Sequence, residues 1–136
     1  MSVYKKISNI DFTYFIGQKV TEVNTEKNLP LGVAFETAGL IIECPWRLQA
    51  SNEVLIGYSD CIQKPDGYSH KNVEKILLGR RIINIIHFEG ISDLVVEFEG
   101  SIYLELFHDS NYFEGWQLRG DNGFYLFTLP GGTYSD

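Results

Sequence analysis

Residues 16–23 and 78–85 of the chain read alike: Ile16-Gly17-Gln18-Lys19-Val20-Thr21-Glu22-Val23 against Leu78-Gly79-Arg80-Arg81-Ile82-Ile83-Asn84-Ile85, about 62 residues apart. The echo continues downstream. Gly32-Val33-Ala34-Phe35-Glu36 matches Val95-Val96-Glu97-Phe98-Glu99, and Leu40-Ile41-Ile42-Glu43 matches Ile102-Tyr103-Leu104-Glu105. Each copy is too short to bury a stable core by itself, so the pattern predicts a duplicated strand-rich unit whose halves pack on each other. The two halves span about residues 9–62 and 69–124, within one domain covering residues 1–136.

The local patterns are those of β-structure. In Leu94-Val95-Val96-Glu97-Phe98-Glu99, alternation places Leu94, Val96 and Phe98 on one face and Val95, Glu97 and Glu99 on the other. Gly100 supplies a turn, and Ile102, Leu104 and Leu106 resume the inward face. The first half repeats this with Val33 and Phe35, a turn at Ala38-Gly39, and Leu40, Ile42 and Cys44. A fourth strand is expected in each half, Glu53–Tyr58 and Gly115–Arg119, and a last strand, Phe124–Leu129, ends at Pro130-Gly131-Gly132. Ser69 and Gly79 bracket a short helix as cap and stop, and Asn9–Ile16 suits another helical turn. The expected fold is mainly β (α+β), a duplicated antiparallel β unit of about eight or nine strands. It forms a sandwich or partly open barrel with one or two short helices.

Charge and composition narrow the function classes. A net charge of −7 with no basic cluster beyond Lys5-Lys6 or Arg80-Arg81 argues against direct nucleic-acid binding, which needs clustered cations on phosphates. No apolar run reaches the roughly 20 residues of a membrane helix. Met1-Ser2-Val3-Tyr4-Lys5-Lys6 lacks the apolar stretch of a secretory signal, so a cytoplasmic protein is expected. Cys44 and Cys61 stand alone, which favours reduced thiols over a disulfide and excludes a zinc ligand set. His70, His87 and His108 lack metal-ligand spacing, and His108 reads as a surface residue at a strand end. No nucleophile elbow, phosphate loop or dinucleotide fingerprint occurs, so neither catalytic residues nor a cofactor or metal site is assigned.

What remains is an outward face. Alternation sets Glu97, Glu99, Tyr103, Glu105 and Phe107 away from the core, and acids interrupted by aromatic rings are the composition of a protein-binding patch. Glu43 and Trp46 extend the candidate set. Trp46, next to Pro45, has two readings: a ring sealing the end of the core, or a partner contact. Arg47 is read as an ion-pair partner for Glu114 between loops.

Glu43-Cys44-Pro45-Trp46-Arg47-Leu48, Tyr112-Phe113-Glu114-Gly115-Trp116-Gln117-Leu118 and Leu129-Pro130-Gly131-Gly132, in that order, resemble a bacterial domain family of unknown function common in actinobacteria. Here Phe113 intervenes between Tyr112 and Glu114, and the Asp60–His70 linker is longer than in that family's pattern. In overall character the chain is also similar to immunity proteins of contact-dependent inhibition and polymorphic toxin systems. That likeness implies a non-catalytic protein that binds a cognate toxin domain, commonly a basic nuclease, and occludes its active site. The other readings are a non-catalytic ligand-binding or assembly module, for which an apolar pocket would argue, and an enzyme, which would need a His with a carboxylate or thiol in a cleft. The partner's identity and the oligomeric state are not encoded in any motif.

Overall fold

The computed structural model of the protein describes residues 5–136, so the Met1–Tyr4 part of the N-terminal segment read above lies outside the described residues. Two six-stranded antiparallel sheets pack face to face as a β-sandwich, with no closed barrel. No described helix is long and apolar enough to cross a membrane.

A short strand β1 (Lys6–Ile7) and a 3-10 turn (Thr13–Phe15) lead into a meander of β2 (Val20–Val23), β3 (Leu31–Phe35) and β4 (Ala38–Ile42). A hairpin of β5 (Trp46–Ala50) and β6 (Glu53–Gly57) follows, then α1 (Tyr58–Gln63) and α2 (His70–Leu77). The plan then repeats: a meander of β7 (Ile82–Glu89), β8 (Leu94–Phe98) and β9 (Ile102–Leu106), then a hairpin of β10 (Trp116–Gly120) and β11 (Tyr125–Thr128), with β12 (Tyr134–Ser135) last.

The sheet orders are β1-β7-β8-β9-β5-β6 and β12-β11-β10-β4-β3-β2. Each half therefore gives its hairpin to the other half's meander, which is why neither half closes a sheet without the other. Backbone hydrogen bonds where the halves meet are matched pairwise. Lys19 and Arg81 form an antiparallel bridge. Gly17 N–H donates to Ile82 O at 2.8 Å while its counterpart Gly79 N–H donates to Val20 O at 2.9 Å. Glu36 Oε1 accepts from Lys19 N at 2.8 Å, and Glu99 Oε1 from Arg81 N at 2.7 Å. The two acids of the repeat thus close equivalent turns, and equivalent bulges interrupt β2 after Val20 and β7 after Ile82.

Several expectations shift. Glu53–Tyr58 and Gly115–Arg119 are not counterparts: Trp46 opposes Leu106 on β9 and Trp116 opposes Ile42 on β4, so β5 corresponds to β10. The offset of about 62 breaks because nine residues, 107–115, join β9 to β10 where three, 43–45, join β4 to β5. The β3–β4 turn lies at Glu36-Thr37, with Ala38 and Gly39 already in β4. The Asn9–Ile16 helix shrinks to the 3-10 turn, and α1 reaches into the Asp60–His70 linker. The second helix holds as expected. Ser69 Oγ accepts from Lys71 N and Asn72 Oδ1 accepts from Ser69 N, while Gly79, at φ +84°, ends the segment.

The core joins the inward rows of the meanders and hairpins, both tryptophans among them, with Phe15 of the 3-10 turn and Val73 and Leu77 of α2. Phe35 and its counterpart Phe98 stack with centroids 6.4 Å apart, and Trp116, Leu104 and Leu48 are wholly buried. Both cysteines are free thiols; burial pushes Cys44, which lies in the core, up to about 12, so it is an inert neutral group.

Candidate functional site

Cross-strand pairing decides what the outward acids face. Glu97 on β8 lies opposite Tyr103 on β9, and Glu105 on β9 lies opposite Arg47 on β5. Arg47 grips Glu105 with both ends of its fork, Nε to Oε1 at 3.0 Å and Nη2 to Oε2 at 2.9 Å, and Gln49 Nε2 donates to the same carboxylate. Its guanidinium also lies 5.0 Å from the centre of the Phe107 ring. The expected Arg47–Glu114 pair is thus replaced by Arg47–Glu105, because β5 and β9 are neighbours in the sheet. Glu105 presents a satisfied ion pair where a bare negative charge was expected. Glu99 is exposed, yet one of its oxygens closes the turn at Arg81.

The seven candidate residues do not form one patch. Glu97, Tyr103, Glu105 and Phe107 share the outer face of the first sheet, with Glu99 at its end. Glu43 follows β4 in the other sheet, its N–H bonded to Gly115 O at 2.7 Å. Trp46 is only 3% exposed and packs edge-on to His70, with ring centres 6.2 Å apart, so the core-sealing reading is the one its burial supports. His108 is a second correction. It is 7% exposed, held by a hydrogen bond from its Nε2 to Ser110 O at 2.8 Å and from its backbone N–H to Asp93 Oδ1 at 3.2 Å.

The outer row of β9 does not stop at Phe107. Alternation turns His108 inward and Asp109 out, and the chain enters a loop carrying Tyr112 at 80% and Phe113 at 66% exposure. These exposed rings meet edge to face with centroids 4.9 Å apart, beside exposed Glu114. The loop is pinned from below. Ser110 Oγ accepts from Tyr112 N at 3.0 Å and Phe113 N at 2.7 Å, while Ser110 O accepts from Gly131 N at 2.9 Å as well as from His108. Ser92 N–H bonds to Gly132 O at 2.9 Å, which brings the loop of Ile91, itself 60% exposed, against the Pro130-Gly131-Gly132 turn. Three connections therefore meet at one end of the sandwich. Sequence reasoning missed Tyr112 and Phe113 as surface residues. The available signal was the length of the 107–115 linker relative to its counterpart.

Among the described residues, no group of three His, Cys, Asp or Glu side chains is placed to hold a metal ion. No protein-family model, curated protein or solved structure matches this chain.

Proposed function

We propose that this chain is an immunity-type inhibitor, a non-catalytic cytoplasmic protein that binds a basic toxin domain, most simply a nuclease, and occludes its active cleft. The observation that carries the reading is the pair Tyr112 and Phe113, 80% and 66% exposed on a loop whose backbone is already hydrogen-bonded in place. Large apolar groups held out into water lose favourable free energy until a partner covers them. A loop pinned before binding loses little entropy on association, so more of the ring burial goes into affinity. Rings of this kind are the usual energetic anchors of an interface. Tyr103 and Phe107 continue the apolar row along β9, with Glu97, Asp109 and Glu114 as its acidic margin. Together with the net charge of −7, these acids would draw in a partner that is positively charged because it binds phosphates. The proposed interface lies on the linker in which this chain's two halves differ.

The test starts from the genes flanking this chain's own, where the proposal expects a protein with a basic C-terminal toxin domain, and reconstitutes that domain for assay of nucleic-acid cleavage; flanking genes with no such domain would count against the proposal. Stoichiometric addition of the protein is expected to abolish cleavage, and the double variant Tyr112→Ser/Phe113→Ser is expected to bind about 100-fold more weakly, as for loss of two hot-spot residues. Cleavage unaffected by an excess of wild-type protein would overturn the proposal. Reversing Glu97 and Asp109 to lysine should act differently, slowing association severalfold and flattening its salt dependence while dissociation changes little. Stopped-flow mixing at two ionic strengths reads this directly. Glu99 is left intact in that variant because its carboxylate closes a turn.

A further inference from the structure

A cleft of about 560 Å³ opens on another part of the molecule, between the β2–β3 loop on one side and α1 with the segment leading to α2 on the other. Its size falls in the range of roughly 300–1,000 Å³ typical of small-molecule sites. Leu29 and Pro30 form part of one wall, and Tyr58, Ile62 and Tyr68 part of the other. Of these, Leu29, Tyr58, Ile62 and Tyr68 are exposed at 44%, 43%, 61% and 36%, so four large apolar groups face water around one concavity. Trp46 and His70 line the same space, so the buried tryptophan backs the cleft.

Two carboxylates set the charge of the lining. Glu26 and Glu43 both line the cleft, both are exposed, and neither carboxylate has an ion-pair partner among the described residues. Against these two negative charges stands Lys27, an exposed amine on a flexible stem. Burial holds the His70 imidazole below its ordinary pKa, opposed in part by its hydrogen bond to the Asn24 backbone, so it adds no charge at neutral pH. Ser69 is committed to capping α2.

We propose that this cleft binds an organic cation with an apolar body, an ammonium or guanidinium carried on a ring or an alkyl chain. The body packs among Leu29, Tyr58, Ile62 and Tyr68, and the charged head reaches the carboxylates of Glu43 and Glu26. Aromatic walls favour such a head over an anionic one, since ring faces carry negative potential. Two sources share this chemistry: a free amine, and a basic side chain presented by a polypeptide. This site is separate from the Tyr112–Phe113 loop and does not depend on the inhibitor reading.

The decisive comparison uses the full chain and two probes matched in shape, 4-phenylbutylamine and 4-phenylbutyrate, followed by amide chemical shifts and by Trp46 fluorescence. The amine is expected to shift residues of the 25–31 loop and of α1 and to bind at least about 10-fold more tightly than the acid. Glu26→Gln/Glu43→Gln should erase that preference while leaving the thermal midpoint unchanged, because both carboxylates are exposed. Tyr68→Ala, which shortens the apolar wall, should weaken both probes alike. A capped Phe-Arg dipeptide binding more tightly than the free amine identifies a polypeptide as the source, and the reverse order identifies a free amine. Equal affinity for amine and acid, preference for the acid, or shifts confined to residues outside the cleft would overturn the proposal.

Discussion

Trp116→Ala is expected to cost about 3–5 kcal/mol of folding stability, the range for deleting a large aromatic side chain from a packed core. Typical domains have only about 5–15 kcal/mol to lose, so the variant should be barely folded at 37 °C. The position explains the size. Trp116 is fully buried at the start of β10, opposite Ile42, where the second half's hairpin joins the first half's meander. Its Nε1 donates to Ser92 O at 2.9 Å, and Thr128 Oγ1 accepts from its backbone N–H at 3.1 Å. The packing beside it is tight, since at Gly115 a Cβ would overlap His108 Nδ1 and lie 2.8 Å from Thr128 Oγ1. Trp116→Phe separates the contributions, keeping most of the apolar volume while leaving Ser92 O without its donor, and should cost about 1–3 kcal/mol. Urea unfolding followed by the fluorescence of Trp46, the one tryptophan left, measures both. A loss below about 1 kcal/mol for Trp116→Ala would show that the joint between the halves is not built around this ring.

The frame was legible where the signal is local. Leu94, Val96 and Phe98, then Ile102, Leu104 and Leu106, alternate strictly in sequence and all six are buried. The repeat also pointed to two packed halves, and the matched bonds of Gly17 and Gly79 show what the repeated glycines do. What escaped depends on pairings between residues far apart. Trp46-Arg47-Leu48 follows a proline and reads as a connection, yet it is a central strand because β9 lies beside it. The Arg47–Glu105 pair exists only through that register, so a face that looks acidic in sequence is partly neutralised in the fold. His108 ends a strand, where exposure is the ordinary expectation, and is drawn inward by Asp93 and Ser110. Tyr112 and Phe113 failed for the opposite reason. Composition places aromatic residues in the core, and only the six extra residues between β9 and β10 carry these two out of it.

Acid should weaken the protein through His87, well before most carboxylates titrate. Its ring is 1% exposed on β7, packed edge-on between Trp116 at 5.8 Å and Tyr134 at 4.6 Å. Nδ1 meets Ser8 Oγ at 2.9 Å, and Nε2 is buried without a partner. A proton on that nitrogen would be a charge in apolar surroundings. Burial therefore pushes the imidazole down from 6.5 to about 4, against a smaller upward pull from Glu89. In the unfolded chain the same ring takes its proton near 6.5. Between those two values the unfolded state binds more protons, so stability is complete above about pH 6.5, falls as pH drops, and levels off below about 4. A difference of this size corresponds to roughly 3 kcal/mol over the whole window. His87→Gln cannot titrate there. Its absolute stability should be lower, but the slope of unfolding free energy against pH between 7 and 5 should be markedly shallower than in the unsubstituted chain. His70, shifted in the same direction, remains in both proteins and cancels in the comparison. Parallel slopes over that interval, from urea unfolding at closely spaced pH values, would mean that the folded protein admits a proton to His87 as readily as water does, and that the layer between Trp116 and Tyr134 opens far more often than its packing implies.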